Sequence, residues 1–232
     1  MPNVAPHGRV FLITGASSGI GAATARAASE AGYRVVLASR SLGKLEALGE
    51  ELGGPTRALA VRCDVTSRED QDEMAARAVE AFGRIDVALA NAGGGSSGGG
   101  TAKGDPEEWS RMIETNVLGA ILTARAVIDE VRRNRGHILL LGSAAGRRPI
   151  PGSIYGATKW AITGYGYNLR EELKGTGTRV TLIEPGMVDT PFFDTPKPDA
   201  MKPEDVAAAI LFAVSQPERV NVNEIWLTPT EG

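Results

Sequence analysis

Short β-branched or leucine-rich runs alternate with longer amphipathic or alanine-rich ones along this whole chain. RVFLIT (9–14), YRVVLAS (33–39), RALAVRC (57–63), RIDVALA (84–90), HILLLG (137–142), RVTLIEP (179–185) and VNEIWL (222–227) read as strands. Helices are expected between them, over 19–32, 41–52, 67–83, from Asp105-Pro106 to about Asn134, over 153–174 and over 203–215. Ser67 with its acidic first turn, and Asp105 followed by Pro106, are start signals. Apolar strands that alternate with helices specify a parallel sheet covered on both faces, with right-handed crossovers. The expectation is an α/β fold, a doubly wound parallel sheet of seven strands with helices on both faces. No composition shift or internal repeat divides the 232 residues, so 1–232 is expected to be one domain.

Composition narrows the function mainly by exclusion. A net charge of −3 gives no electrostatic reason to expect nucleic acid or an anionic membrane. The densest basic cluster, Arg132 to Arg135, ends a helix, where cations complement the dipole. One cysteine, Cys63, rules out an internal disulfide and reads as a buried strand residue rather than a redox centre. The two histidines, His7 and His137, stand apart from it, so no metal site is expected. MPNVAPHGRV lacks the apolar core of a signal peptide, and ILLL (138–141) is far below the ~20 residues of a membrane span. A soluble cytoplasmic protein is the expectation.

TGASSGIG, Thr14 to Gly21, falls where the first strand turns into the first helix. Gly15, Gly19 and Gly21 permit a tight turn, close approach of backbone to a ligand and close packing of helix on sheet. The helix N-terminus offers free N–H groups to a pyrophosphate. This points to a Rossmann-like dinucleotide site. An NAD site usually has a carboxylate about 20 residues beyond the glycines, for the ribose 2′-hydroxyl. Here strand two ends in Ser39 and Arg40. Neutral plus basic suits a 2′-phosphate, hence NADP(H) in preference to NAD(H). The other reading of Arg40 is a surface arginine.

TGASSGIG, NAG (Asn91 to Gly93), Gly142-Ser143, YGATK (Tyr155 to Lys159) and PGMVDT (Pro185 to Thr190) occur in one order over nearly the whole chain. In that order they resemble the short-chain dehydrogenase/reductase family. The resemblance implies hydride transfer between a nicotinamide and a ketone or alcohol, and a ketoreductase-type site. It matches the family's catalytic asparagine, serine, tyrosine and lysine to Asn116, Ser143, Tyr155 and Lys159, with Asn116 in a water-mediated proton relay. It implies cofactor contacts along Gly15, Ser17, Ser18, Gly19, Ile20 and Gly21, at Ser39 and Arg40, and at Asp64 and Val65. Asn91, Ala92, Gly93, Tyr155, Lys159, Pro185, Gly186, Val188 and Thr190 complete the implied set. Asp64 corresponds to the adenine contact; its other reading is a helix-entry residue. The rivals to an NADP(H) enzyme are an NAD(H)-preferring dehydrogenase of the same type and a non-catalytic NADP-binding regulatory protein.

The residues themselves argue for the same chemistry. Carbonyl reduction needs a proton donor at oxygen. A phenol of pKa near 10 is too rarely ionised at neutral pH to act as base in reverse, and a downward shift of about three units requires roughly 4 kcal/mol. A cation some 4 Å away at an effective dielectric of about 20 supplies about that much. Positions i and i+4 share a helix face, so Lys159 is expected to lower the Tyr155 phenol. Ser143 follows a strand at the sheet's carboxyl edge and can donate to the substrate oxygen.

Gly156, Gly164 and Gly166 are costly in a helix interior, at about 1 kcal/mol each relative to alanine. They suggest close approach of another backbone. The family commonly pairs this helix with the preceding long one across a two-fold axis, which implies a homodimer or homotetramer. Packing against the chain's own sheet is the alternative. GGGSSGGG (93–100) is expected to be a mobile loop. The proline-rich loop after strand six is short for a substrate cover, which implies a fairly open pocket. Phe192 and Phe193 either line the pocket or anchor that loop. Arg147 and Arg148 either recognise a carboxylate or are solvated.

Overall fold

The computed structural model describes residues 8–95 and 99–230. The strands β1 (Val10–Thr14), β2 (Arg34–Ser39), β3 (Ala58–Arg62), β4 (Val87–Ala90), β5 (His137–Leu141), β6 (Arg179–Pro185) and β7 (Glu224–Leu227) form one sheet. Its order is β3-β2-β1-β4-β5-β6-β7, and every neighbouring pair is parallel. The helices are α1 (Gly19–Glu30), α2 (Leu42–Glu51), α3 (Arg68–Phe82), α4 (Gly100–Lys103), α5 (Pro106–Ile113), α6 (Gly119–Arg133), α7 (Ile154–Glu172) and α8 (Pro203–Ser215).

Strand alternation builds two cores. Val10 and Leu12 face one way, toward Met74 of α3, Val127 of α6 and Ile162 of α7. Phe11 and Ile13 face the other, toward Ala25 of α1, Leu45 of α2 and Ile210 of α8. Both faces of the sheet are therefore apolar, which is why its strands read as continuous hydrophobic runs. The strand order reverses between β1 and β4, and ligands of open α/β sheets bind at the carboxyl ends beside such a switch point.

The caps behave as their sequence signals imply. Ser67 Oγ accepts from the Asp70 N–H at 3.1 Å, and Asp105 accepts from the Glu107 N–H at 2.9 Å. The single long helix expected up to Asn134 is corrected. It is broken by a π-turn, Glu114–Leu118, between α5 and α6. That turn carries Asn116, whose buried amide bonds the backbone of Gly94 and the hydroxyl of Thr158. Partners on two other segments support the locally widened helix, a geometry often found at functional sites. The short α4 and a 3₁₀ turn at Ala144–Gly146 are further elements that the periodicity does not announce.

Residues 96–98 lie outside the described residues, and so does that part of the mobile-loop expectation for 93–100. The flanks of the loop are held. Gly94 exchanges two hydrogen bonds with Asn116, at 2.8 and 2.9 Å, and Gly99 enters α4 with φ +84°.

Candidate active site

A cavity of about 580 Å³ opens along the carboxyl edge of the sheet. At one end lies the glycine loop. Gly15 has φ +67°, and a Cβ there would stand 2.8 Å from the Asn91 amide nitrogen and 2.9 Å from Ala92 Cα. A Cβ on Gly21 would overlap the Gly15 carbonyl, so Gly21 serves the packing of the loop on itself. Thr14 and Asn91 knit the two sides of the switch point together. The Asn91 amide donates to the carbonyls of Thr14 and Gly15 at 2.9 and 3.3 Å, and Asn91 N–H donates to Thr14 Oγ1 at 3.1 Å.

This end has the features of a phosphate cradle. The first N–H groups of α1 have no partner within the helix. Ser18 occupies the N-cap position without spending its side chain on a cap bond. Ser17, Ser18, Gly19 and Ile20 all line the cavity. Ser39, Arg40, Asp64 and Val65 form its next wall. Arg40 is exposed. Asp64 Oδ1 accepts from the N–H and hydroxyl of Thr66 at 3.0 and 2.8 Å. Those bonds, the backbone one foremost, with the charges of Arg40 and Arg62, hold its carboxyl below the usual range against the opposing effect of burial. Asp64 thus both organises the entry to α3 and faces the cavity. Cys63 beside it, one residue past the end of β3, is buried, and burial first of all pushes its thiol up to about 12, as suits an inert thiol.

At the other end stand Ser143, Tyr155 and Lys159, with Asn91, Ala92 and Gly93 between the two ends. Ser143 lies two residues past β5 and caps the 3₁₀ turn, its Oγ accepting from Ala145 N–H at 3.1 Å and donating to Pro185 O at 3.3 Å. Tyr155 and Lys159 lie one turn apart on α7, whose N-cap Ser153 accepts from Gly156 N–H at 2.9 Å. The buried Lys159 ammonium donates to the Leu141 carbonyl at 2.8 Å and lies 5.7 Å from the centroid of the Tyr155 ring. Burial lowers this lysine to about 8.

The expected lowering of the Tyr155 phenol is corrected. Burial raises it above 10, and only a hydrogen bond with Ser143 acts in the opposite direction. Burial is the physical reason: the Lys159 ammonium points one N–H at a carbonyl rather than at the phenol and does not offset it. Pro185, Gly186, Val188 and Thr190 also line the cavity, Pro185 beside Ser143 and Thr190 beside Gly19 of the glycine loop. Of the residues expected from sequence, Gly21 and Asn116 stand behind the wall, not on it.

The remaining wall is mostly apolar, with Ile150, Met187, Phe192 and Phe193. Phe192 packs on Tyr155 with ring centroids 5.5 Å apart, and Phe193 packs on Phe192 at 5.1 Å. A Cβ on Gly95 would stand 2.8 Å from Phe192 Cζ. Phe192 therefore lines the cavity and covers the phenol. The two arginines separate: Arg148 lines the cavity, while Arg147 is bound to Glu184, Tyr167 and Glu224. Carboxylate recognition by Arg147 is corrected on that ground.

The α7 glycines also separate. Cβ atoms would meet Ser153 and Ala145 at Gly156, and Leu182 of the sheet at Gly166, whereas Gly164 faces open space. Thr14 and Thr158, inside TGASSGIG and YGATK, and Leu141 and Glu184, outside any quoted motif, are structural contributors to which the sequence reading assigns no role. Among the described residues, no helix is long and apolar enough to cross a membrane, and no group of acidic, cysteine and histidine residues is placed to hold a metal.

Comparison with known proteins agrees with this geometry. The family model for short chain dehydrogenase matches residues 9–200. The chain belongs to the short-chain dehydrogenase family. An uncharacterized oxidoreductase from Staphylococcus epidermidis is 35% identical over 226 residues, 95% of this chain and 97% of the relative. An alcohol dehydrogenase from the archaeon Thermococcus sibiricus, complexed with 5-hydroxy-NADP, superposes with a TM-score of 0.89 at 33% identity, covering 97% of each chain. A 3-ketoacyl-(acyl-carrier-protein) reductase from Brucella melitensis, complexed with NADH, gives 0.87 at 29% identity over 95% of this chain and 96% of its own. The family and its relatives are oxidoreductases, and so is this protein.

Proposed function

We propose that the protein is an NADP(H)-dependent ketoreductase, moving a hydride between a nicotinamide and a ketone or secondary alcohol. One observation carries the reading: Ser143, Tyr155 and Lys159 converge at one end of a cavity whose other end is the glycine loop of α1. A nicotinamide dinucleotide supplies or accepts the hydride when bound. Gly15 through Ile20 would hold its pyrophosphate, Asp64 and Val65 its adenine, and Asn91 to Gly93 and Pro185 to Thr190 its nicotinamide half.

Tyr155 gives its phenolic proton to the carbonyl oxygen in reduction and takes it back in oxidation. Its raised phenol is neutral at pH 7 and so carries the proton that reduction needs. Ser143 orients the reacting oxygen through its hydroxyl. Lys159, at about 8, is largely protonated at neutral pH and adds positive potential beside the phenol. It would also hold the nicotinamide ribose. Asn116 fixes Gly94 and Thr158 behind this group. The apolar wall around Phe192 suits a substrate with an apolar body.

Arg40 and Ser39 support NADP(H) over NAD(H), because a cation and a neutral hydroxyl accept a 2′-phosphate that a carboxylate would repel. The neighbour from T. sibiricus, complexed with 5-hydroxy-NADP, agrees, while the neighbour from B. melitensis carries NADH. Self-association through α7 belongs to the same reading. Trp160 and Tyr167 are 49% and 39% exposed on the face where Gly164 meets open space. Light scattering of wild type and Gly164→Arg tests it, with loss of the larger species expected.

A panel of ketones and alcohols with both cofactor pairs, followed by reduced-nicotinamide absorbance, tests the activity. Turnover with NADP(H) is the expected result. NADPH binding without turnover of any ketone would instead mark a regulatory binding protein.

A further inference from the structure

Glu184 is the residue before Pro185 at the end of β6, and it is completely buried. Its Oε1 accepts from Arg147 Nε at 2.7 Å and from Thr163 Oγ1 at 3.1 Å. Arg147, 18% exposed, also donates to the Tyr167 hydroxyl at 2.5 Å and pairs with Glu224 on β7. Three segments of the proposed active site meet at this carboxylate. Arg147 ends the short turn that starts at Ser143. Thr163 lies one helical turn beyond Lys159 on α7, and its hydroxyl also lies near the carbonyls of Lys159 and Gly146. Glu184 itself leads into Pro185, whose carbonyl accepts from Ser143.

The segment from Gly142 to Gly146 has few means of its own to hold position. Its side chains are small, and a Cβ on Gly142 would stand 2.9 Å from Glu184 Cγ. Gly146 is pressed against the Lys159 carbonyl, with room for no Cβ. A buried ion pair is a poor source of net stability, because desolvation cancels most of its attraction and well-packed apolar residues often do as well. Directional bonds at fixed angles give something an apolar cluster cannot, namely one placement of the Ser143 turn on α7.

We propose that Arg147 and Glu184 are positioning residues for the proposed reaction. They hold the Ser143 hydroxyl in hydrogen-bonding register with the Tyr155 hydroxyl. Neither meets the reacting atoms. The inference rests on the functional reading above, because it assigns value to the Ser143–Tyr155 contact.

The chain has four tyrosines, so selective ¹³Cζ-tyrosine labelling gives four resonances. Tyr155→Phe identifies the one that matters, and Ser143→Ala records its position when the contact is lost. The experiment uses full-length Glu184→Gln, Arg147→Met and the double apolar variant Arg147→Met/Glu184→Met, each with its melting temperature. All three are expected to move the Tyr155 resonance toward its Ser143→Ala position. The double variant does so without a lower melting temperature, and Arg147→Lys restores part of the wild-type position. On any substrate that wild type turns over, kcat falls by about 100-fold or less, as expected for a misplacement near 1 Å, with NADPH affinity within about twofold of wild type.

A Tyr155 resonance that stays at the wild-type position in Glu184→Gln and Arg147→Met, while Ser143→Ala moves it, would overturn the proposal. So would a resonance that moves only in variants with lowered melting temperature. The resonance reads the contact whether or not wild type turns over a ketone, so failure of the functional reading appears in the activity arm alone.

Discussion

The Lys159 ammonium is buried and donates to the Leu141 carbonyl at 2.8 Å, the last residue of β5. A cation in that position is a burden on the fold. Its drop from 10.5 to about 8 corresponds to roughly 3 kcal/mol against the charged form at neutral pH. Chains built for stability alone place an apolar residue there.

Lys159→Met should therefore separate stability from function. It removes the desolvation cost and leaves the Leu141 carbonyl without this donor, a loss of about 1–3 kcal/mol. The two roughly cancel. The melting temperature at pH 7 is expected to stay at or above that of wild type, while kcat falls by about 100-fold or more and NADPH binds more weakly. A variant that melts several degrees lower and keeps its kcat would reverse the assignment. Calorimetry and steady-state kinetics on the same preparation decide it.

In the proposed function, Arg40 sets the choice of cofactor. It is exposed on the cavity wall beside Ser39, whose hydroxyl accepts from Ser41 N–H at 3.1 Å. A charged hydrogen bond to a 2′-phosphate contributes about 1.5–3 kcal/mol, or roughly 10- to 150-fold in affinity. Fluorescence titration of wild type should give tighter binding of NADPH than of NADH by that factor. Ser39→Asp combined with Arg40→Leu should reverse the order. Equal affinities in wild type would leave Arg40 as a surface residue.

His137 gives the fold a pH dependence of its own. The Thr181 hydroxyl donates to Val222 O at 2.5 Å, so it accepts from His137 Nε2–H, 2.7 Å away. Among the described residues, Nδ1 has no partner. Burial, then the charge of Arg179, holds this imidazole well below 6.5. Below pH 6.5 the unfolded chain takes up a proton that the native ring refuses. The contribution of this site is complete above pH 6.5 and is lost as the pH falls toward the native value. Urea unfolding should show stability falling by up to about 1.4 kcal/mol per pH unit below 6.5. His137→Gln, which retains a donor toward Thr181, should flatten the slope between pH 6.5 and 5.5. His7 is common to both chains. Identical slopes would mean that other groups carry the effect.

Much of this fold is legible in the sequence because its information is local. Strands buried on both faces read as apolar runs, and Ser67 and Asp105 mark helix starts with side chains that cap them. The site motifs are legible because each sits where a strand ends, so chain order alone brings Gly15, Asn91, Ser143 and Pro185 to one edge. What escapes a sequence reading depends on partners distant in the chain. The π-turn is supported by Gly94 and Thr158, which no local pattern around Asn116 announces. The direction of the Lys159 ammonium is set by a carbonyl on β5, and a spacing of four residues leaves it free to point at that carbonyl instead of the phenol. Arg147 and Arg148 are adjacent and chemically alike. Only the buried Glu184 separates the one that is bound from the one that faces the cavity.

The central claim is that the Tyr155 hydroxyl moves the proton. The most direct measurement compares wild type and Tyr155→Phe in two assays on the same samples, NADPH binding by fluorescence titration and ketone reduction followed by nicotinamide absorbance. The phenylalanine keeps the ring that packs on Phe192 and loses only the oxygen that meets Ser143. The account predicts unchanged NADPH affinity with kcat reduced by at least about 100-fold. A variant that binds NADPH as wild type does and retains most of its kcat would contradict it.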